Sequence, residues 1–565
     1  MFSKGHWNFK KWRPNMHVKS SDSSLDQLTT LNEIGIALSS EHDMDNLLER
    51  ILVNAKELTG ADGGTLYLHN ESDKTLEFKI VRTLSLGIHL GGKTGQPIGG
   101  NFKPLNLYLD DGTPNTQMIA AYAAISGQTI NIQDAYEVTD FDFSGTRKFD
   151  AATGYRSKSF LTVPMKNHEN DIIAVLQLLN KVDDDTQEVI SFSEQDQHLA
   201  ESLASQAAVA LTNKRLIDEL QNLFDSFIKL IATAIDEKSP HTGNHCRRVP
   251  EATMMIAEAA HHSDMDYFNE FSMTDADRYE LKVASWLHDC GKITTPVHVV
   301  EKGTKLETIH DRIELVAARF EILRRDMEIT MLKQRIAAFE KGETDHTSII
   351  AHYEKLANSL MEDLAYVKKC NTGGEFMADE QVARVESLAE LSWIDSCGQE
   401  QPIITDDELK NLTIRRGTIT LEEREIINNH MTLTIRMLER LPFPKHLRNV
   451  PEYAGGHHER MDGRGYPRGL TRNEMSIPAR IMAVADVFEA LTSSDRPYKK
   501  PMPLTQTLTI MGRMVEDNHL DPDIFKLFVE SKVYQQYADK FLLPDQIDSV
   551  DHDNLPGMQH QTSSE

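Results

Sequence analysis

From Leu203 to Ala234 the chain steps by three and four residues without a break, through Leu203, Gln206, Ala210, Asn213, Ile217, Leu220, Phe224, Phe227, Ile231 and Ala234. That alternation is the pattern of a coiled-coil seam, so residues 200–238 read as one long helix that can join no sheet and divides the chain in two. Asn213, polar among apolar neighbours, is the kind of seam residue that fixes register and two-chain pairing. An uncovered stripe of this length would expose apolar surface, so a parallel homodimer through 203–234 is expected, with packing on the helix's own domain as the alternative.

The two halves differ in period. Residues 25–58 are helical, with Leu28, Leu31, Ile34, Leu38, Leu47, Leu48 and Ile51 at three- and four-residue steps. The runs "GGTLYLHNE", "TLEFKIV", "TINI", "FLTVPM" and "IIAVLQLLN" that follow are short and β-rich, separated by Gly, Asn and Asp. Residues 25–212 therefore form an α+β domain with an antiparallel sheet flanked by helices. Residues 239–535 are predominantly helical, interrupted at 305–415 by an insertion of charged helix formers that reads as a helical hairpin with loops at "CNTGGEF" and "DSCGQEQP". A weak echo frames it, since "KGTKLETIHDRIELVAARFEIL" resembles "RGTITLEEREIINNHMTLTIRML" and sets Val316 opposite His430. The fold class is multidomain α+β.

Composition narrows the function. A formal charge of −27 argues against a broad electrostatic grip on nucleic acid or an anionic membrane, though a small anion held by metals and a few cations remains open. Four scattered cysteines, 246, 290, 370 and 397, suit reduced thiols, and no apolar run is long enough to span a membrane. A cytoplasmic location is expected. Residues 1–24 read as a basic disordered lead-in and 549–565 as a polar disordered tail.

Five fragments of the helical half carry candidate metal ligands: "HTGNHCRRV", "WLHDCGKI", "NNHMTL", "GGHHER" and "AVADVFEALT". An adjacent His-Asp pair lets one carboxylate bridge two cations while the imidazole binds one. Imidazole and carboxylate without thiolate suit Fe or Mn better than a structural zinc site. Hydrated centres of this kind acidify water and can clamp the oxygens of a phosphoryl displacement. The paired His457 and His458 precede a loop, "ERMDGRGYP", whose glycines allow close backbone approach.

On the complete stretches "HDCGK" and "HHERMDGRGYP", residues 239–535 outside the insertion resemble the HD-GYP family of cyclic di-GMP phosphodiesterases, an all-α fold of the HD superfamily. The resemblance implies two transition-metal ions held by His245, His288, Asp289, His430, His457, His458 and Asp486, with Asp289 bridging. It also implies catalytic roles for His288, Asp289 and Lys292, phosphate contacts from Lys292, Arg496 and Lys499, and a substrate rim at Gly465 and Tyr466. Some relatives bind a third metal through a residue four before the first ligand, where this chain has His241, either a third-metal ligand or a rim residue. The implied reaction opens cyclic di-GMP to linear pGpG, with a second cleavage to GMP left open; cyclic GMP-AMP and a non-catalytic cyclic-dinucleotide receptor are the alternatives.

In the first half, "GYRSKSFLTVPM" followed by "IIAVLQLLNK" resembles the late strands of a GAF domain, with Asn180, Lys181, Phe192, Asp196 and Gln197 on its pattern except that Gln197 stands for the usual Glu. That resemblance implies a Lys-Asp ion pair under the fold. It leaves open a small ligand such as a cyclic nucleotide or a purely structural role. Cys246 and Cys290 read as buried helix residues or redox thiols, and Glu459 and Asp462 as carboxylates that orient ligand histidines or shape the loop.

Overall fold

The computed structural model describes residues 22–41, 43–100, 102–238, 244–374, 376–493 and 501–558. It separates into two compact units, 1–223 and 224–565. The expected residues His241, Arg496 and Lys499 lie outside the described residues.

The first unit is built on a mixed-length antiparallel sheet. Helices α1 (Asp22–Ser39) and α2 (Met44–Thr59) lead into strands β1 (Ala61–Asn70), β2 (Thr75–Thr83), β3 (Ile88–Gly91) and β4 (Leu105–Asn106). After α3 (Ile119–Ser126) come β5 (Ile130–Ile132), α4 (Ser144–Thr153), β6 (Phe160–Lys166), β7 (Ile172–Val182) and β8 (Val189–Ile190). The order is β3-β2-β1-β7-β6-β5, with β4 beside β2 and β8 beside β7. Side chains alternate across the central strands. Leu66, Leu176 and Leu178 face a core shared with α1, α2 and the start of α5 (Glu194–Lys238), whereas Tyr67 and Val175 face α3 on the other side.

Asn180 sits at φ 54°, a left-handed conformation that Asn tolerates, and its Oδ1 accepts hydrogen bonds from the amides of Lys158 (2.7 Å) and Ser159 (3.2 Å). Lys181 pairs with Asp196, whose carboxylate also accepts from the amide and hydroxyl of Ser193 ahead of α5. These contacts tie β6, β7 and α5 together.

The long helix departs from the expected seam. Leu203 and Ala210 are buried in the first unit's own core and Phe224 is half-buried against the second unit's core. From Asn213 on, the rest of the expected seam is open: Asn213, Ile217, Leu220, Phe227, Ile231 and Ala234 are exposed, with Ile217 60% and Leu220 71% exposed. Val209, Leu216, Leu223 and Leu230 are exposed beside them and widen the apolar stripe. Tertiary burial thus removes Leu203 and Ala210 from the seam, half-covers Phe224, and leaves the other apolar positions free.

The second unit packs α6 (His245–His261), α7 (Asp275–Leu287), α8 (Val297–Val300), α13 (Leu421–Leu438), α14 (Val450–Gly455), α15 (Ile477–Thr492), α16 (Leu504–Glu516), α17 (Pro522–Glu530) and α18 (Val533–Phe541). Ile228, Ala232 and Ile235 from the last turns of α5 belong to this core. Between α8 and α13 the insertion is more than a hairpin of helices. It contains α9 (Ile313–Glu340), α10 (Thr347–Asn371), α11 (Asp379–Ala389), a β-hairpin of β9 (Ser392–Ile394) and β10 (Glu400–Pro402), and α12 (Asp406–Leu412). Leu306, Val316, Phe320, Val367, Val385, Ile403 and Leu412 give it a core of its own. Glu400–Pro402 is polar and ends in proline, without the β-rich composition that marks "TINI", which is why "DSCGQEQP" reads as loop. The polar tail also begins later than expected. Leu555 is buried in the second unit's core and the Tyr534 hydroxyl meets His552 Nε2 at 2.7 Å, because a few apolar contacts suffice to hold a polar segment down. Likewise residues 22–24 belong to α1.

Candidate metal centre

The candidate ligands enter from five elements of the second unit. His245 opens α6, His288 and Asp289 close α7, His430 lies in α13, His457 and His458 follow α14, and Asp486 lies mid-α15. Asp289, His430, His457 and His458 offer ligand atoms all within 4.8 Å of one another, and His245, His288 and Asp486 form a second such group. Asp289 faces both. Its Oδ1 is 3.3 Å from His430 Nε2, and its Oδ2 is 3.2 Å from the Nε2 atoms of both His245 and His288. Asp486 Oδ1 stands 3.2 Å from His245 Nε2.

The imidazoles are oriented from behind. Nδ1 of His288 meets the Ser285 carbonyl at 2.8 Å, Nδ1 of His457 meets that of Ala454 at 2.7 Å, and Nδ1 of His430 meets that of Ile427. A carbonyl only accepts, so each Nδ1 carries the proton and each Nε2 turns its lone pair to the centre. Burial pushes His457 well below the usual histidine range and His458 down to about 4, so both are neutral as ligands must be. Burial alone would raise Asp289, but the Lys292 ammonium 2.6 Å away and His288 outweigh it and hold the carboxyl well below its ordinary value.

Asp289 Oδ1, His430 Nε2 and His457 Nε2 are buried and have no hydrogen-bond partner. Leaving such atoms unmet costs about 1–3 kcal/mol each. Their convergence with ionised carboxylates fits divalent cations. The donor set of imidazole and carboxylate, with neither Cys246 nor Cys290 in it, suits iron or manganese chemistry.

Comparison with known proteins agrees with these two halves. The GAF domain family matches residues 43–211 and the HD domain family matches residues 405–524. The chain joins a GAF domain to an HD domain. Among curated relatives, a 3'3'-cGAMP-specific phosphodiesterase of Vibrio cholerae is 48% identical over 88 residues, 16% of this chain and 20% of the relative. A cyclic di-GMP phosphodiesterase of Thermotoga maritima is 36% identical over 138 residues, 23% of this chain and 36% of the relative. A cyclic di-GMP phosphodiesterase of Pseudomonas aeruginosa is 49% identical over 116 residues, 20% and 27% of the two chains. The matches thus span between a fifth and about a third of these relatives' lengths. The HD match starts after most of the insertion and covers His430, His457, His458 and Asp486; it does not reach His245, His288 or Asp289, which geometry alone brings in.

Around the HD domain's metal centre, the loop after His458 is built for shape. Gly463 takes φ 76°, and a Cβ on Gly465 would lie 2.4 Å from the Arg460 amide nitrogen and Glu459 Cα. Gly465 is therefore needed for packing. Tyr466 stacks on His458 with ring centroids 4.9 Å apart and forms a wall of the site. Glu459 and Asp462 serve the loop and not the ligands. Glu459 accepts from the amides of Arg468 (2.7 Å) and Leu470 (3.0 Å), and Asp462 accepts from the amide of Arg464 and from the Arg460 side chain.

The carboxylate that does orient a ligand is Glu489, buried, with Oε2 2.6 Å from His245 Nδ1 and Oε1 3.6 Å from Arg248. Sequence reasoning passed over it. The signal was its place three residues after Asp486, which puts both on one face of α15. Gly291 was also missed. A Cβ there would meet the His430 carbonyl at 2.0 Å, so only glycine lets the 3-10 turn Cys290–Thr294 lie against α13. Burial raises both thiols, Cys290 to about 11, which makes a reactive thiolate at either position unfavourable.

Proposed function

We propose that this protein is a metal-dependent phosphodiesterase that opens cyclic di-GMP to linear pGpG. The observation that carries the reading is the convergence of His245, His288, Asp289, His430, His457, His458 and Asp486 on one buried centre with unmet Nε2 and Oδ1 atoms. Bound there, two transition-metal ions would supply Lewis acidity to the phosphoryl group and lower the pKa of water. Asp289 presents one oxygen to each group of ligands and so bridges them. Lys292, paired with Asp289 and half-buried, sets a positive charge where a phosphate oxygen would rest, and Tyr466 bounds the space opposite. Arg496 and Lys499 as phosphate contacts, and His241 as a third-metal ligand or a rim residue, are carried by the resemblance alone and lie outside the described residues.

Hydrolysis of cyclic GMP-AMP is the second reading, favoured by the relative of 48% identity that is named for 3'3'-cGAMP. Both substrates carry the same phosphodiester ring and differ at one base. The exposed stripe from Val209 to Ala234, with Asn213 within it, supports a parallel homodimer through α5. The GAF domain supplies the regulatory module.

The test is product chromatography on both dinucleotides with protein purified under anaerobic conditions and assayed for metal. Linear product from the wild type and none from His288→Ala or Asp289→Ala supports the reading; turnover that survives both substitutions contradicts it.

A further inference from the structure

The last turn of α5 touches the metal centre's scaffold at two places. Asp236 is buried and its Oδ1 accepts from the amide of Cys246, 3.3 Å away, the residue after His245. Lys238 Nζ donates to the carbonyls of Thr295 (2.7 Å), Lys292 (3.3 Å) and Ile293. Those carbonyls end the 3-10 turn Cys290–Thr294, which follows His288 and Asp289 directly and carries Lys292. The Lys292 carbonyl also accepts from the Thr295 amide at 3.1 Å, and an ammonium has three N–H groups, so one Lys side chain reaches all three carbonyls at the end of the turn. The charges also suit the ends they meet, an acid at the start of α6 and a cation at the end of the turn. Ile228, Ala232 and Ile235 are buried in the same core, so the turn that bears Asp236 and Lys238 is itself fixed.

We infer that this turn of α5 is a two-point clamp on the metal centre: Asp236 holds the segment bearing His245, and Lys238 holds the segment bearing Asp289 and Lys292. Both are positioning residues for the reaction proposed above, on which this inference rests. The metal ligands come from separate elements, and the clamp gives two of those elements a common reference on the helix that also carries the exposed stripe. A rotation or lift of the end of α5 would move His245 against Asp289 and change the centre without touching a ligand.

The test uses the full-length, metal-loaded protein and four variants. Lys238→Met removes the donors at nearly constant length, Lys238→Arg keeps a cation with several donors, and Lys229→Met removes an exposed charge from the same helix as a control. Backbone amide exchange in 288–296 is expected to speed up in Lys238→Met while 477–492 stays protected. Metal loss to a competing chelator, measured well below the melting temperature, is expected to quicken about tenfold, as for other groups that orient ligands from behind. Lys238→Arg should lie within threefold of wild type and Lys229→Met should match it. Asp236→Ala should raise exchange at 244–248. Unchanged exchange in 288–296, or a Lys238→Met protein that keeps its metal and turnover within twofold of wild type, overturns the clamp. A wild-type protein that binds no metal overturns the proposed function instead, and the exchange result then decides by itself whether the clamp exists.

Discussion

His245 shows how one side chain's role depends on a second. Its Nε2 faces Asp289 and Asp486 while its Nδ1 is held by Glu489, so the ring cannot turn without giving up a buried bond. Glu489→Ala is expected to weaken metal binding by about 10–100-fold with the fold retained, read by chelator competition. Equal affinity in the variant would show that Glu489 orients nothing. Gly291 gives a steric counterpart, because a methyl group there must displace the His430 carbonyl or Thr434. Gly291→Ala is expected to cost about 1–3 kcal/mol of stability and to spoil the centre, read by thermal melting together with metal content. The His288-Asp289 and His457-His458 pairs marked candidate ligands in the sequence, whereas His245, His430 and Asp486 stand in no pair and came from the resemblance. Glu489 and Gly291 were not legible, since their value comes from what lies across the fold, at His245 and His430.

At the scale of elements, α5 shows where periodicity stops informing. The sequence carries the whole seam, and only the cores at either end reveal that Leu203 and Ala210 are taken and Phe224 half-covered. If the exposed stripe pairs two chains, Leu223→Glu will give a monomer by sedimentation velocity at concentrations where the wild type is a dimer. A dimer that persists would move the contact elsewhere. The sheet was legible as five β-rich runs, whereas the short strands β3, β4, β8, β9 and β10 were not, because pairing with a neighbour defines them more than composition does. The insertion's charged helices were visible, but its separate core required knowing that Leu306 and Phe320 meet Val367 and Ile403.

For the molecule as a whole, the centre joins elements that are far apart in sequence, so bound metal is part of the HD domain's stability. A ligand that binds only the folded state stabilises it by mass action, on the order of 3 kcal/mol at a hundredfold excess over its dissociation constant. Chelation is therefore expected to lower the melting transition of the HD domain and to leave that of the GAF domain in place, a difference calorimetry can read. No helix among the described residues is long and apolar enough to cross a membrane, in keeping with the charged composition. The central claim is that seven side chains from five elements make one hydrolytic metal centre. The most direct test is turnover of cyclic di-GMP by one preparation before chelation, after chelation, and after iron or manganese is restored. The account predicts linear pGpG before and after, with none in between, and full turnover by the metal-free protein would contradict it.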